Sequence, residues 1–330
     1  MTLGDRNISD RWQRAAYLQE NNVDRTDASP SWAELSEHGM LWGMRFVLAS
    51  RRLLGRRLCN LVLLPIVTWF WLTDAGRRHA SMDYLRRVRA MLHLSAPRWW
   101  HGLTLWHAFA EKALDGVMAA HDPTAIGPCV TRDPDGMAAR AAAGQGGMIL
   151  VSHLGNPDVA RAVMAGRFPA GMTVLMHTRH AVMYNHMLDR LHGSPLSRTL
   201  EVTDMAPDTA IDLQQRLERG EWLAMAADRT PIHPGTRIIR TPFLGAEAPF
   251  PTGPFILAAL LRCPVFLLFC VKNDNGYEIH LEHFADSVIL PRRDRERVLV
   301  DYVKRYVGRL EKQVIQSPMQ WYNFYSFWDQ

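Results

Sequence analysis

The chain has 330 residues, of which 48% are hydrophobic and 22% charged; this excludes a disordered protein and leaves room for one large domain or two small ones. A net charge of +5 and a pI near 9.2 suit acidic partners: nucleic acid, an anionic membrane or an acidic carrier protein. Cys59, Cys129, Cys263 and Cys270 lie far apart without a C-x-x-C pair, which gives no disulfide framework and no cysteine zinc spacing and reads as mostly buried thiols in a reducing compartment.

Residues 1–30 are polar and charged, so they predict a loose tail or a short peripheral helix, not a signal peptide. Residues 31–120 read as helical. Within them the run from Leu58 to Thr73 is largely apolar. A membrane span needs about 20 such residues, and this run is shorter and holds Asn60 and Pro65. Arg51, Arg52, Arg56, Arg57, Arg77, Arg78, Arg86, Arg87 and Arg89 surround it, and Trp42, Trp69, Trp71, Trp99, Trp100 and Trp106 fall in the same region. Apolar run, arginine rim and indoles together predict a segment lying on or dipping into an anionic membrane. The alternative is a helical layer buried against the core, its arginines merely solvated. No nucleic-acid motif accompanies the arginines, so nucleic acid is not an expected partner.

From Gly146 onward strands and helices alternate. Strands are predicted at Met148–Ser152, Met172–His177, Leu200–Thr203, Trp222–Ala226, Arg237–Arg240, Val265–Val271 and Tyr277–Phe284. Helices are predicted at Pro157–Gly166, Ala181–Leu191, Pro207–Arg219, Gly253–Leu261 and Arg293–Gln316. The pattern predicts an α/β core over residues 121–330, continuous with the preceding helices: a largely parallel mixed sheet flanked by helices, with function at strand C-termini. No phosphate loop, dinucleotide fingerprint or G-x-S-x-G elbow is present. His177, His180 and His186 cluster loosely among 14 histidines, and no metal site is expected from them. His233 sits in a loop between prolines, where a solvated side chain is the ordinary outcome.

Chemistry concentrates in Gly146-Gly-Met-Ile-Leu-Val-Ser-His153-Leu-Gly-Asn156-Pro-Asp158-Val-Ala-Arg161. The apolar run after two glycines predicts a buried strand, and Asn156 and Pro157 predict the cap and first position of a helix. Asp158 then falls in the first helical turn, where the macrodipole favours a carboxylate. On one helix His153 and Asp158 would diverge by about 140°. With the histidine on the preceding turn, its imidazole can instead fold back toward Asp158, giving a base with an orienting carboxylate. Read plainly, the same residues describe a capped helix with a surface histidine nearby.

His153-Leu-Gly-Asn-Pro-Asp158 resembles the H-x4-D motif of the glycerolipid acyltransferase superfamily, and its context resembles the bacterial lipid A secondary acyltransferases. Ala227-Asp-Arg-Thr-Pro, Gly235-Thr-Arg, Thr241-Pro-Phe-Leu-Gly245 and Phe250-Pro-Thr-Gly-Pro254 follow in that family's order. The ending Pro318-Met-Gln-Trp-Tyr-Asn-Phe-Tyr-Ser-Phe-Trp328 is closer to a divergent subgroup similar to proteins of aryl-polyene and amino-acid-lipid pathways. The resemblance implies transfer of a fatty acyl group from an acyl carrier protein or coenzyme A thioester to a hydroxyl or amine of a membrane lipid. It also implies His153 as general base, Asp158 as its carboxylate, no metal or redox cofactor, and a place on the cytoplasmic face of the inner membrane. Asn156, Asp228, Arg229, Arg237, Thr252 and Gly253 are the expected substrate-side residues. Arg237 would hold a phosphate or carboxylate, Asp228 would steer Arg229 or Arg237, and the Thr252-Gly253 helix start would offer N–H groups to an oxyanion. Two rival readings remain: a non-catalytic subunit of a lipid or polyene pathway, and a thioesterase or lipase using the same pair.

Overall fold

The computed structural model of the chain describes Gly55 and residues 58–176, 197–201, 207–230 and 237–329. The expected tail at 1–30, Arg51, Arg52, Arg56, Arg57, the expected helix at 181–191, His177, His180, His186 and His233 lie outside the described residues.

Seven strands make the main sheet: β1 (Cys129–Arg132), β2 (Gly147–Gly155), β3 (Met172–Met176), β4 (Arg198–Glu201), β5 (Trp222–Ala226), β8 (Val265–Asn273) and β9 (Gly276–Ala285). Their order is β1-β9-β8-β2-β5-β3-β4. The run from β8 through β2, β5 and β3 to β4 is parallel, β9 returns antiparallel along β8, and β1 follows β9. A mostly parallel sheet flanked by helices is therefore what forms. β6 (Ile238–Phe243) and β7 (Ala246–Pro251) make a separate hairpin through Leu244 and Gly245, both at positive φ, as a tight two-residue turn requires. β1, which is short and lacks an apolar run, and β7, which carries Pro249 and Pro251, give no strand signal in the sequence. The two prolines are tolerated because the hairpin is all edge.

The described helices are α1 (Leu58–Thr73), α2 (Ala75–Met91), α3 (Trp99–His121), α4 (Met137–Ala142), α5 (Pro157–Met164), α6 (Pro207–Glu218), α7 (Gly253–Leu261) and α8 (Arg295–Gln316). Met148, Ile149 and Leu150 of β2 are buried with Leu223, Met225 and Leu267 from the flanking strands, an apolar run enclosed on both faces as parallel sheets require. Gly146 precedes this run because a Cβ there would stand 2.4 Å from the Leu217 carbonyl, so the glycine serves close packing. Residues Val47–Gln330 form one compact unit.

α1 meets α3 through a single stripe. Cys59, Val67 and Trp71 are buried, and Trp71 lies over Gly102, where a Cβ would be 2.1 Å from the indole. The Trp71 and Trp106 rings meet edge to face at 5.6 Å. Most of the rest of α1 stays uncovered, with Leu61 63%, Trp69 66% and Leu72 66% exposed. Asp74 breaks and recaps the chain, its carboxylate accepting from Arg77 N–H at 2.9 Å, and α2 leaves at 98° to α1. Among the described residues no single helix is long and apolar enough to cross a membrane; the bent α1–α2 pair passes that test of length and composition only when taken together. Several arginines of the expected rim are engaged within the protein. Arg78 donates to the Trp71 and Leu72 carbonyls, Arg87 pairs with Asp83 and covers the Trp328 ring, and Arg89 donates to the Ser95 carbonyl.

Candidate active site

β2 pairs with β5 as far as Val151 and Ala226, and with β8 in regular register to the same point. From Val151 to Gly155 it then spends four residues where β8, from Leu268 to Cys270, spends two. Such a bulge re-aims side chains at a strand end, and His153 stands in it. The freed edge is tied down by the C-terminal segment: Leu154 bridges Trp321, and Gly155 N–H donates to the Gln320 carbonyl at 2.8 Å. Gly155 has φ +66° and passes so close to β8 that a Cβ would lie 1.8 Å from the Cys270 carbonyl oxygen. No other residue fits there.

Asp228 follows β5 and is completely buried. Its Oδ1 faces His153 Nδ1 at 2.8 Å, its Oδ2 accepts the His153 main-chain N–H at 2.7 Å, and Trp321 Nε1–H donates to Oδ2 at 3.2 Å. An ionised carboxylate only accepts, so Nδ1 carries the ring proton and Nε2 keeps its lone pair. The histidine side chain remains 37% exposed, against none of Asp228. Burial tends to raise the Asp228 pKa, but the charge and hydrogen bonds of His153 and the Arg229 guanidinium outweigh it and hold the carboxyl at about 2. Burial lowers the His153 pKa; Asp228 opposes this, while Arg229 and Lys112 add to it. The resting pair is therefore a neutral imidazole on a carboxylate, the state a general base must start from.

The sequence profile of bacterial lipid A biosynthesis acyltransferases matches residues 127–329. The chain belongs to that family. Acyltransferase activity on lipid, in bacterial membrane lipid synthesis, is what the family carries. Comparison with curated proteins gives no match. The span matched to the lipid A acyltransferases holds His153, Asp158, Asp228, Arg237, Thr252 and Trp321, and begins after α3.

One expectation needs correction. His153 lies within β2 and not on the turn, its imidazole hydrogen-bonds Asp228 at the end of β5, and among the described residues no hydrogen bond or ion pair joins it to Asp158. Asp158 does occupy the first turn of α5, behind the Asn156 cap and Pro157. It faces α3, where a Cβ on Gly116 would be 3.2 Å from the Asp158 Cβ. Asn156, expected beside the substrate, is buried and committed: its Oδ1 accepts from Val159 N–H at 3.4 Å, and its Nδ2 donates to the Lys112 carbonyl at 2.9 Å. Its work is to join α5 to α3.

Arg229 stands beside the pair, with Nη2 donating to the Tyr322 carbonyl at 2.6 Å and the guanidinium 5.5 Å from the Tyr325 ring. Thr252 closes a loop on Arg237, both its hydroxyl and its N–H donating to the Arg237 carbonyl at 3.0 and 3.1 Å. Arg237 is exposed, and Gly253, also exposed, has open space about its Cα. Among the described residues no hydrogen bond or ion pair joins these three to His153 or Asp228. Sequence reasoning passed over Trp321 and Lys112. Trp321 sits in an aromatic-rich ending whose composition signals packing, and its indole lies among Tyr84, Phe243 and Phe327.

Proposed function

We propose that the protein moves a fatty acyl group from an acyl carrier protein or coenzyme A thioester to a hydroxyl or amine of a membrane lipid, with His153 as general base. His153 Nε2 removes the proton from the acceptor, the freed oxygen or nitrogen attacks the thioester carbonyl, and the thiol leaves when the tetrahedral intermediate collapses, taking up a proton from the imidazolium. Asp228 fixes the tautomer and balances the imidazolium while it lasts. The observation that carries this reading is the buried Asp228 carboxylate bonded to both the ring and the main chain of His153 at a strand terminus, in a chain of the lipid A acyltransferase family.

The uncovered face of α1 supports a membrane location, and Trp99, 63% exposed at the start of α3, adds an indole suited to the interface. An acidic carrier protein as donor and the cytoplasmic face of the inner membrane fit the basic chain. The acceptor belongs to the same reading: a lipid of the amino-acid or polyene kind suits the divergent ending. Mass spectrometry of lipids from cells producing the wild type or His153→Ala tests it. A new acylated lipid present only with the wild type is expected. Free fatty acid in place of that lipid would mean hydrolysis, and identical profiles would mean a non-catalytic subunit.

A further inference from the structure

We infer that Lys112 is a further binding residue of this site: its ammonium takes an anionic oxygen group of the acceptor, a carboxylate or a phosphate, and holds it beside His153. The inference rests on the acyl-transfer reading for the identity of the ligand as an acceptor lipid.

Lys112 lies on α3 one turn before Gly116, on the face that meets Asp158 and Asn156. Its carbonyl holds Asn156, so the backbone here is fixed to the start of α5. Its side chain is half-buried and runs between two rings, with Nζ 5.8 Å from the Phe109 centroid and 5.5 Å from that of Tyr322. Among the described residues this ammonium makes no hydrogen bond and no ion pair within 4.0 Å. Lys272, whose ammonium also reaches α3, is the contrast: its Nζ sits 2.7 Å from Asp115 and 3.6 Å from Glu111. One lysine is paired, and the other keeps its three donors unpaired within the protein and within reach of solvent, free for an anionic ligand to take.

The charges around Lys112 point the same way. Its partial burial draws the ammonium below the usual lysine range; Asp158 opposes that most strongly, Arg229 adds to it, and Asp228 and Cys270 oppose it. Asp158 therefore offsets part of the cost of charging Lys112 without closing on it. Lys112 and Arg229 in turn make His153 harder to protonate. An anion seated on Lys112 cancels part of that repulsion, so His153 becomes a stronger base when an acceptor is in place. The two rings form an apolar sleeve around a charged tip, the contact an amphiphile presents.

The test follows the His153 pKa by NMR in histidine-labelled full-length protein in detergent, with the resonance assigned by its loss in His153→Gln. Inorganic phosphate and acetate are titrated in turn. In the wild type one of them should raise the His153 pKa by about half a unit or more. Lys112→Gln should abolish the rise, and Lys112→Arg should keep it. A response to phosphate alone assigns a phosphate head group, and a response to acetate alone assigns a carboxylate. If Lys112→Gln fails to fold, Lys112→Met, which keeps the stem, takes its place. No movement in the wild type with either anion, or equal movement without the Lys112 charge, overturns the inference. Because the readout needs no turnover, a failed lipid assay and a failed anion titration remain separate results.

Discussion

Two apolar stretches, Leu58–Thr73 of α1 and Gly147–Gly155 of β2, look alike in the sequence and end in opposite surroundings. Met148, Ile149 and Leu150 are buried to within 1% of complete, their backbone hydrogen-bonded on both sides, and that rigidity carries His153. α1 satisfies its own backbone and needs only a stripe of contact with α3, so most of its large side chains face outward. The difference teaches that apolar content alone does not decide burial. A parallel strand has a neighbour on each edge and a helix layer on each face, whereas a helix that packs through one stripe leaves its other side uncovered.

That comparison can be broken at several points. The largest effect is expected at the end of β2: His153→Ala should lose about 10²–10⁴-fold in transfer rate while keeping its circular dichroism spectrum, since the ring is partly exposed and the main-chain N–H to Asp228 survives. Gly155→Ala should come next. Its Cβ meets the Cys270 carbonyl and its φ is left-handed, so denaturant unfolding should register a loss of about 3 kcal/mol or more.

A smaller effect concerns pH. Folded His153 holds a proton less tightly than the unfolded chain, so kcat/KM should rise through a pKa below the free-histidine value and stay level at neutral pH. The same sign makes acid destabilising. As pH falls below the unfolded histidine pKa, the unfolded state takes up protons first, and below the usual carboxylate range Asp228 adds its own loss on the way to about 2. Stability that is flat from pH 7 to 3 would contradict the lowered proton affinity of His153 and Asp228 in the folded state.

The smallest effect on the fold is expected from α1. Replacing Leu61, Trp69 and Leu72 together with serine should move the unfolding free energy by about 0.5 kcal/mol or less per site, because none is covered. Binding to anionic vesicles, measured by co-sedimentation, should fall strongly in the same variant. Unchanged vesicle binding with a much weakened fold would make α1 an internal packing layer.

What the sequence makes legible follows from range. β2, the Asn156 cap, Pro157 at the start of α5, and the full extent of β5 and α7 are local signals, readable from apolar runs, a capping residue and glycine. The partner of His153 is not local. Asp228 lies 75 residues on and meets it only because β5 is the neighbour of β2, a matter of sheet order that no spacing rule encodes. The five-residue step to Asp158 looked like the pair because the bulge that turns His153 away is invisible in Val-Ser-His-Leu-Gly. Lys112 reads as one more helical lysine, and only the crossing of α3 over α5 gives it company.

The pairing of His153 with Asp228 is the central claim, and transfer by Asp228→Asn beside Asp158→Asn tests it most directly. Acyl carrier protein thioester would serve as donor and total membrane lipid as acceptor. Asp228→Asn should lose about 10²-fold or more in kcat, because an amide neither fixes the tautomer nor balances the imidazolium. Asp158→Asn should keep kcat within about tenfold, a loss smaller than removal of a general base gives, and show its effect in the KM for the lipid. Wild-type turnover by Asp228→Asn, with Asp158→Asn inactive, would contradict the pairing.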